Sequence, residues 1–188
     1  MKIIDRIKHS LRCYCVLYAD RTEILDKAKK MLNPLPEGCI LVRLTNENKH
    51  LYKCKYLIEK MLQVGDEVYA IVNSNNEIIA WHYGTYRGKT SLFFKVKNCD
   101  FEHVEILVDE RYRRKGLALH LLYHVLKNIN LDNIKNNKVG TVIKADNIPS
   151  LKLHETIGFK VYRRVFFVHV SRKKDGHWHF INIPHYNI

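Results

Sequence analysis

Aromatic and apolar residues fill RCYCVLYAD (residues 12–20), which predicts a strand. Asp20-Arg-Thr leads on into EILDKAKKML, a helical pattern that NPLPEG closes with two prolines and a glycine. CILVRLT is a short strand, and NENKHLYKCKYLIEKMLQVGD (46–66) carries apolar residues at helical spacing. EVYAIVNSNNEIIAWHYGTY (67–86) predicts a hairpin turning at Asn73 to Asn76, and SLFFKVKNCDFEHVEILV (91–108) repeats the design around Asn98 to Asp100. A mostly apolar helix follows within RYRRKGLALHLLYHVL (111–126). Then come the strand VGTVIKAD (139–146), a short helix from Pro149 to Ile157, and the strand pair KVYRRVFFVHV and HWHFINI, turning at Asp175-Gly176. Without repeats, low-complexity runs or linkers, the pattern predicts one α/β (α+β) domain with a mixed, mostly antiparallel sheet flanked by helices.

Composition agrees and narrows the partners. A chain of 188 residues suits one well-cored domain, and 46% hydrophobic with 27% charged residues is globular. Lys plus Arg number 32 against 19 Asp plus Glu, a formal charge of +13 that favours an anionic partner. Basic residues interleaved with stacking aromatics along a groove are not evident, so nucleic acid is not the expected partner. The five cysteines are odd in number and form no C-x-x-C pair, which with no secretory h-region predicts a reducing, cytoplasmic setting. No stretch approaches a membrane span, so no membrane partner is expected.

The sharpest charge cluster is Arg111, Arg113, Arg114 and Lys115, set directly before Gly116 and the apolar helix. Helix N-termini favour acidic residues, so four cations there are locally unfavourable unless an anion sits among them. Gly116 is followed by Leu117 and Ala118, which excludes a P-loop, and a single glycine excludes a dinucleotide fingerprint. Arg113-x-x-Gly116-x-Ala118 remains. Its small residues let a ligand lie against the backbone, its unpaired helix-start N–H groups can bind a pyrophosphate, and its cations neutralise one. An ordinary basic loop with a glycine turn is the competing reading.

NIPSLKLHETIGF (147–159) adds a second block: Asn147 at a strand end, Pro149 and Ser150 opening a helix, then His154 and Gly158-Phe159. In order, V-D-E-R-Y-R-R-K-G-L-A and N-x-x-S-x-x-x-H-E-x-x-G-F resemble the GNAT superfamily of acetyl-CoA-dependent N-acetyltransferases, the second block in its phosphinothricin acetyltransferase-like form. The resemblance is firm from about Phe101 to Val170 and looser from Cys39. It implies a GNAT-like domain at 39–188, an N-terminal extension 1–38 packed on it, and a sheet splayed between the strands at 101–108 and 139–146. Residues 1–38 would shape the acceptor site or a homodimer contact.

The resemblance also implies roles. Backbone donors of Ile106, Leu107 and Val108 would bind the acetyl carbonyl and pantetheine arm. Arg113, Arg114, Lys115, Gly116, Leu117 and Ala118 would take the pyrophosphate, with Leu117 and Leu119 mainly filling the core beneath. Asn147 would hold the pantetheine amides, while Ser150 assists or only caps the helix. His154 stands where many relatives carry a tyrosine that meets the coenzyme sulfur; it would protonate the leaving thiolate, hydrogen-bond it, or simply pack. Glu105, then Glu102, are the candidate bases. By strand alternation Glu102 shares a face with Val104 and Ile106, and Glu105 shares the other with His103. Trp81, His82, Tyr83 and Tyr86 are candidates for lining an acceptor pocket.

Two histidine groups compete for attention. His120 and His124 have metal-ligand spacing, but Leu121 stands where an H-E-x-x-H glutamate would be and no third ligand is suggested, so no metal is expected. His177-Trp178-His179 reads as a hairpin with one aromatic packed inward. The expected activity is direct acetyl transfer to a primary amine of a small molecule such as an amino sugar or nucleotide-linked sugar, with no cysteine in either motif to carry an acetyl intermediate. The alternatives are a non-catalytic GNAT-like binding or sensor domain, or an enzyme acting on a protein amine.

Overall fold

The computed structural model describes residues 11–53, 58–89, 98–170 and 179–182. An eight-stranded mixed sheet runs in the order β2-β3-β4-β5-β6-β1-β7-β8. The strands are β1 (Leu11–Asp20), β2 (Ile40–Arg43), β3 (Glu67–Val72), β4 (Ile78–Tyr86), β5 (Phe101–Val108), β6 (Lys138–Lys144), β7 (Lys160–Val170) and β8 (His179–Asn182). Among the described strands β5 and β6 pair in parallel, and the other neighbours are antiparallel. The helices are α1 (Arg21–Met31), α2 (Ile58–Val64), α3 (Leu117–Asn128) and α4 (Ile148–Thr156). β1, first in the chain, bonds to β6 on one edge and β7 on the other, so the segment 1–38 contributes an interior strand.

Local chemistry explains most boundaries. Asp20 ends β1 and caps α1, its carboxylate accepting from the N–H groups of Thr22 and Glu23. Leu117, Leu121, Leu122, Val125 and Leu126 of α3 pack with Ile24 and Ala28 of α1 on one face of the sheet, over Ile71, Ile79, Phe101 and Val139. Alternate residues of β3, Val68 and Ala70, join Trp81, Tyr83 and Met61 in a second cluster on the other face.

The helix expected over 46–66 is shorter. Asn48 folds the chain back: its Oδ1 accepts from the Thr45 N–H at 2.9 Å and its Nδ2 donates to the Arg43 carbonyl at 2.9 Å. Lys53 then bridges to Glu77, donating to the Asn76 carbonyl and accepting from the Ile78 N–H, so that among the described residues of this stretch a 3-10 turn stands at Lys49–Leu51 and α-helix at Ile58–Val64. Helical spacing of apolar residues lost to side-chain hydrogen bonds that hold a turn. The first strand of the hairpin at 91–108, the turn at Asp175-Gly176, and His177-Trp178 lie outside the described residues.

Two features of β5 shape the site. First, its parallel pairing with β6 covers only Phe101↔Val139, Glu102↔Gly140 and His103↔Thr141, after which the strands diverge. Second, Gly84 of β4 pairs with His103 while Tyr83 pairs with Glu105, leaving Val104 as the extra residue of a β-bulge. Gly84 admits no side chain here, because a Cβ would come within 2.7 Å of the Glu102 carbonyl oxygen and overlap the Phe101 ring.

Candidate active site

The divergence of β5 and β6 opens a cleft of about 230 Å³. His103, Glu105 and Ile106 of β5 line one side, Thr141 and Lys144 of β6 the other, and Asn147, Ser150 and His154 contribute from the start of α4 and its second turn. Asn147 caps α4, accepting from the Ser150 N–H at 3.3 Å, and its own N–H donates to the Lys144 carbonyl at 3.0 Å. The helix is thereby fixed to the end of β6.

Beyond the end of β5 the chain leads into the N-terminus of α3. Gly116 is its cap residue with φ 76°, and Arg114 also adopts a left-handed conformation at φ 62°. A Cβ on Gly116 would have no atom within 4 Å, and the first turn of α3 holds no acidic residue. Arg113, Arg114 and Lys115 are exposed, whereas Leu117 and Leu119 are buried in the core. Arg113 donates from Nε to the Val108 carbonyl at 3.4 Å and pairs with Glu110, which holds the loop against the end of β5. Lys115 and Arg111 lie 5.2 and 5.8 Å from the ring centre of Tyr112.

The bulge corrects the expected alternation on β5. Tyr83 and Thr85, two apart on β4, face Glu105 and Glu102 respectively, so both glutamates lie on one face. Apolar packing changes parity at the same point: Phe101 is followed by Ile106 and Val108 in one cluster, and Val104 and Leu107 pack on the other. One unpaired residue reverses every side chain beyond it. Glu105 is exposed and lines the cleft, and after burial its charge contributes to raising the Tyr83 phenol to about 12. Glu102 is buried outside the cleft lining, near Tyr18 and Cys99; burial foremost, with Glu102 adding, pushes the Cys99 thiol up to about 12.

His154 is 3% exposed, with Nδ1 2.8 Å from the Ser150 carbonyl oxygen. A carbonyl can only accept, so Nδ1 carries the proton and the neutral ring presents Nε2 as a lone pair. Nε2 is buried with no hydrogen-bond partner among the described residues. Burial lowers the imidazole to about 4, partly offset by the Ser150 bond, so the ring is neutral at pH 7.

A second histidine lines the cleft. His103 Nδ1 lies 2.6 Å from Nε2 of His82 on β4, and both rings are fully buried. Burial lowers His82 to about 3, and His103 falls well below its ordinary value through burial and then its two histidine neighbours. His103 packs edge-on against Phe101 and Phe159, and Phe159 meets His154 at 5.0 Å between ring centres. The sequence carried no spacing signal for this pair, because 21 residues separate the two rings. Trp81, Tyr83 and Tyr86 do not line the cleft. Trp81 and Tyr83 stack within the second core cluster, and Tyr86 packs on Phe101, donating to Glu67 and accepting from the Asn130 N–H.

Among the described residues no three His, Cys, Asp or Glu side chains come together as a metal site, and no helix is long and apolar enough to cross a membrane. His120 donates to the Asn33 carbonyl at 2.6 Å and stacks on His124.

Residues 35–159 match the family model described as Acetyltransferase (GNAT) family. The chain belongs to the GNAT acetyltransferase family. Several solved structures share its fold. One is a putative GNAT-family acetyltransferase from Novosphingobium aromaticivorans: 15% identity, TM-score 0.54, covering 83% of this chain and 62% of the other. Another is a tandem GNAT protein from the clavulanic acid biosynthesis pathway: 16% identity, TM-score 0.58, covering 83% and 52%. A third is an aminoglycoside 6′-N-acetyltransferase from Acinetobacter baumannii: 18% identity, TM-score 0.50, covering 73% and 99%. The chain thus spans 62% and 52% of the length of the first two. Among curated proteins none matches the chain by sequence.

Proposed function

We propose that this GNAT-family chain transfers an acetyl group from acetyl-CoA directly to a primary amine of a small molecule. One observation carries the reading: the open, basic N-terminus of α3 and the cleft between β5 and β6 adjoin the same strand end, Val108 being bonded to Arg113. A long, bent cosubstrate with phosphates at one end and a thioester at the other fits that continuity. The fit at the phosphate end rests on Gly116, whose missing side chain leaves open space, and on Arg113, Arg114 and Lys115. Ala118 keeps the first turn slim, and Leu117 anchors it in the core. Asn147 and Ser150 would meet the pantetheine amides, and the N–H groups of Ile106 to Val108 would bind from the β5 edge.

The chemistry forms a C–N bond, breaks the C–S bond, and moves protons from the ammonium group toward sulfur and solvent. Glu105, exposed at the cleft, takes the first proton from the arriving ammonium. Attack on the acetyl carbon then gives a tetrahedral adduct whose nitrogen carries one proton too many. His154 enters neutral with a bare Nε2, so it accepts that proton before handing it to the departing thiolate. A ring near pKa 4 holds the proton briefly and releases it readily. Glu102 would act only through water. The +13 charge supports an anionic acceptor such as a nucleotide-linked amino sugar.

Calorimetry with acetyl-CoA, followed by free-thiol release over a panel of amines, tests the proposal. Micromolar binding and amine-dependent thiol release are expected. Heat without thiol release from any amine leaves a coenzyme-binding domain, and no heat at millimolar acetyl-CoA removes the reading.

A further inference from the structure

The His82–His103 hydrogen bond admits two arrangements of protons when both rings are neutral. If His82 Nε2–H donates, His103 carries its own proton on Nε2, and the unused atom of His82 is a bare Nδ1. If His103 Nδ1–H donates, His82 must carry an N–H on Nδ1. His82 Nδ1 is buried with no partner among the described residues, and its ring is 0% exposed. An orphaned N–H in an apolar interior is rarer and more costly than an orphaned acceptor. Each arrangement leaves one such N–H, on His103 Nε2 in the first and on His82 Nδ1 in the second. Of the two rings only His103 lines the cleft, where a ligand can meet it, so the first arrangement is preferred and makes His103 an Nε2–H donor.

That donor has no partner in the protein's described residues either, although His103 is 1% exposed and lines the cleft. Nε2 lies on the side of the ring away from His82. Its backbone is held in place as well, since Thr141 Oγ1 donates to the His103 carbonyl at 3.1 Å across the last paired rung of β5 and β6. Two neutral histidines that line the cleft thus have opposite polarities at their unpartnered atoms: a donor at His103 Nε2 and an acceptor at His154 Nε2. Burial keeps both uncharged at pH 7. A neutral imidazole donor suits an oxygen that gains negative charge during reaction, because it stabilises the developing charge without protonating the ground state.

We propose that His103 donates from Nε2 to the acetyl carbonyl oxygen as it becomes an oxyanion, and that His82 is the positioning residue that sets the tautomer. The inference rests on the acetyl-transfer reading above. When the amine nitrogen adds to the carbonyl carbon, the C=O π electrons move onto oxygen, and the His103 N–H bond to that oxygen shortens. When the C–S bond breaks, the electrons return and the proton stays on His103. No net proton passes through the pair.

Nitrogen-15 NMR of the imidazole rings in the free full-length protein at pH 7 reads the tautomers directly. Nε2–H is expected for His82 and His103, and Nδ1–H for His154. On saturation with acetyl-CoA the His103 Nε2–H signal should move downfield. His103→Phe should lower kcat by about 100- to 1000-fold, the range for one lost oxyanion donor, with the acetyl-CoA Kd within about threefold. His103→Gln, which restores an N–H at similar reach, should recover part of the rate. His82→Leu should give mixed His103 tautomers and a lower kcat, and His82→Gln should restore both. An Nδ1–H signal on His103 overturns the proposal even if every variant misfolds. So does a His103→Phe enzyme that turns over normally. No binding of acetyl-CoA to the wild type, with the Nε2–H tautomer present, instead brings down the acetyl-transfer reading on which the oxyanion depends.

Discussion

The carboxylate of Asp100 accepts the backbone N–H of Lys138 at 3.2 Å, joining the entry to β5 to the first residue of β6. The same carboxylate accepts from the Asn136 N–H at 2.7 Å and pairs with Arg87, and Asp100 N–H donates to the Lys138 carbonyl. This clamp, built on the buried Asp100 side chain, closes one end of the V whose other end is the cleft. Because β5 and β6 share only three paired positions, the clamp supplies much of what keeps them parallel and then lets them part.

Asp100→Ala removes the acceptor of two part-buried N–H groups and should destabilise the protein by about 1–3 kcal/mol in urea titrations. Acetyl-CoA binding should weaken too, as the walls lose their spacing. Although burial raises the Asp100 carboxyl, N–H donation from Asn136 and Lys138 and the Arg87 charge hold it below the ordinary 3.8. Its contribution is therefore present above the ordinary carboxylate range and is lost as pH falls through the lowered folded value. An Asp100→Ala protein as stable as wild type at pH 7 would refute the clamp.

His82, His103 and His154 predict an earlier acid transition. All three are depressed by burial, to about 3 for His82 and about 4 for His154. An unfolded histidine titrates near 6.5, so between these values the unfolded chain binds more protons. Stability from the neutral rings is full above about pH 6.5 and falls as pH drops. Each ring should contribute a slope of about 1.4 kcal/mol per pH unit once its unfolded form is protonated. Urea titrations at pH 7.5, 6.0 and 5.0 measure it, and equal stabilities at all three would contradict the burial of these rings.

Gly116→Asp should abolish acetyl-CoA binding by calorimetry, because it sets a carboxylate where phosphates approach. Open space around the position should leave the fold intact. The positive φ costs a side chain about 1–2 kcal/mol, so a modest fall in Tm is expected. A folded variant with wild-type affinity would move the phosphate site elsewhere.

His154→Ala should lower turnover by about 100-fold or more, the usual range for a lost proton-transfer group, with little change in acetyl-CoA affinity. His154→Tyr should recover part of the rate by protonating sulfur with a phenol. The limb of the pH–rate profile owed to the imidazole should disappear in that variant. Normal turnover in His154→Ala, accompanied by lost stability, would make the ring a packing residue.

The order of elements, the α3 start at Gly116 and the α4 cap at Asn147 were legible in the chain, because turns, caps and apolar period are set by residues a few positions apart. The two motif blocks were legible for the same reason, and they pointed to the family that residues 35–159 match. Other features waited on tertiary contacts. The helix at 46–66 yielded to Asn48 and to a bridge with Glu77, which lies in the next hairpin. Glu102 and Glu105 came to share a face because Val104 has no opposite number on β4, and side-chain parity along a strand depends on every pairing before it. The first strand took an interior place between β6 and β7, which no periodicity encodes. His82 met His103, and His154 gained its tautomer and low pKa, only once the core closed around them. Sequence fixes which groups are present and their local geometry; desolvation and long-range pairing, which decide protonation and facing, come from residues distant in the chain.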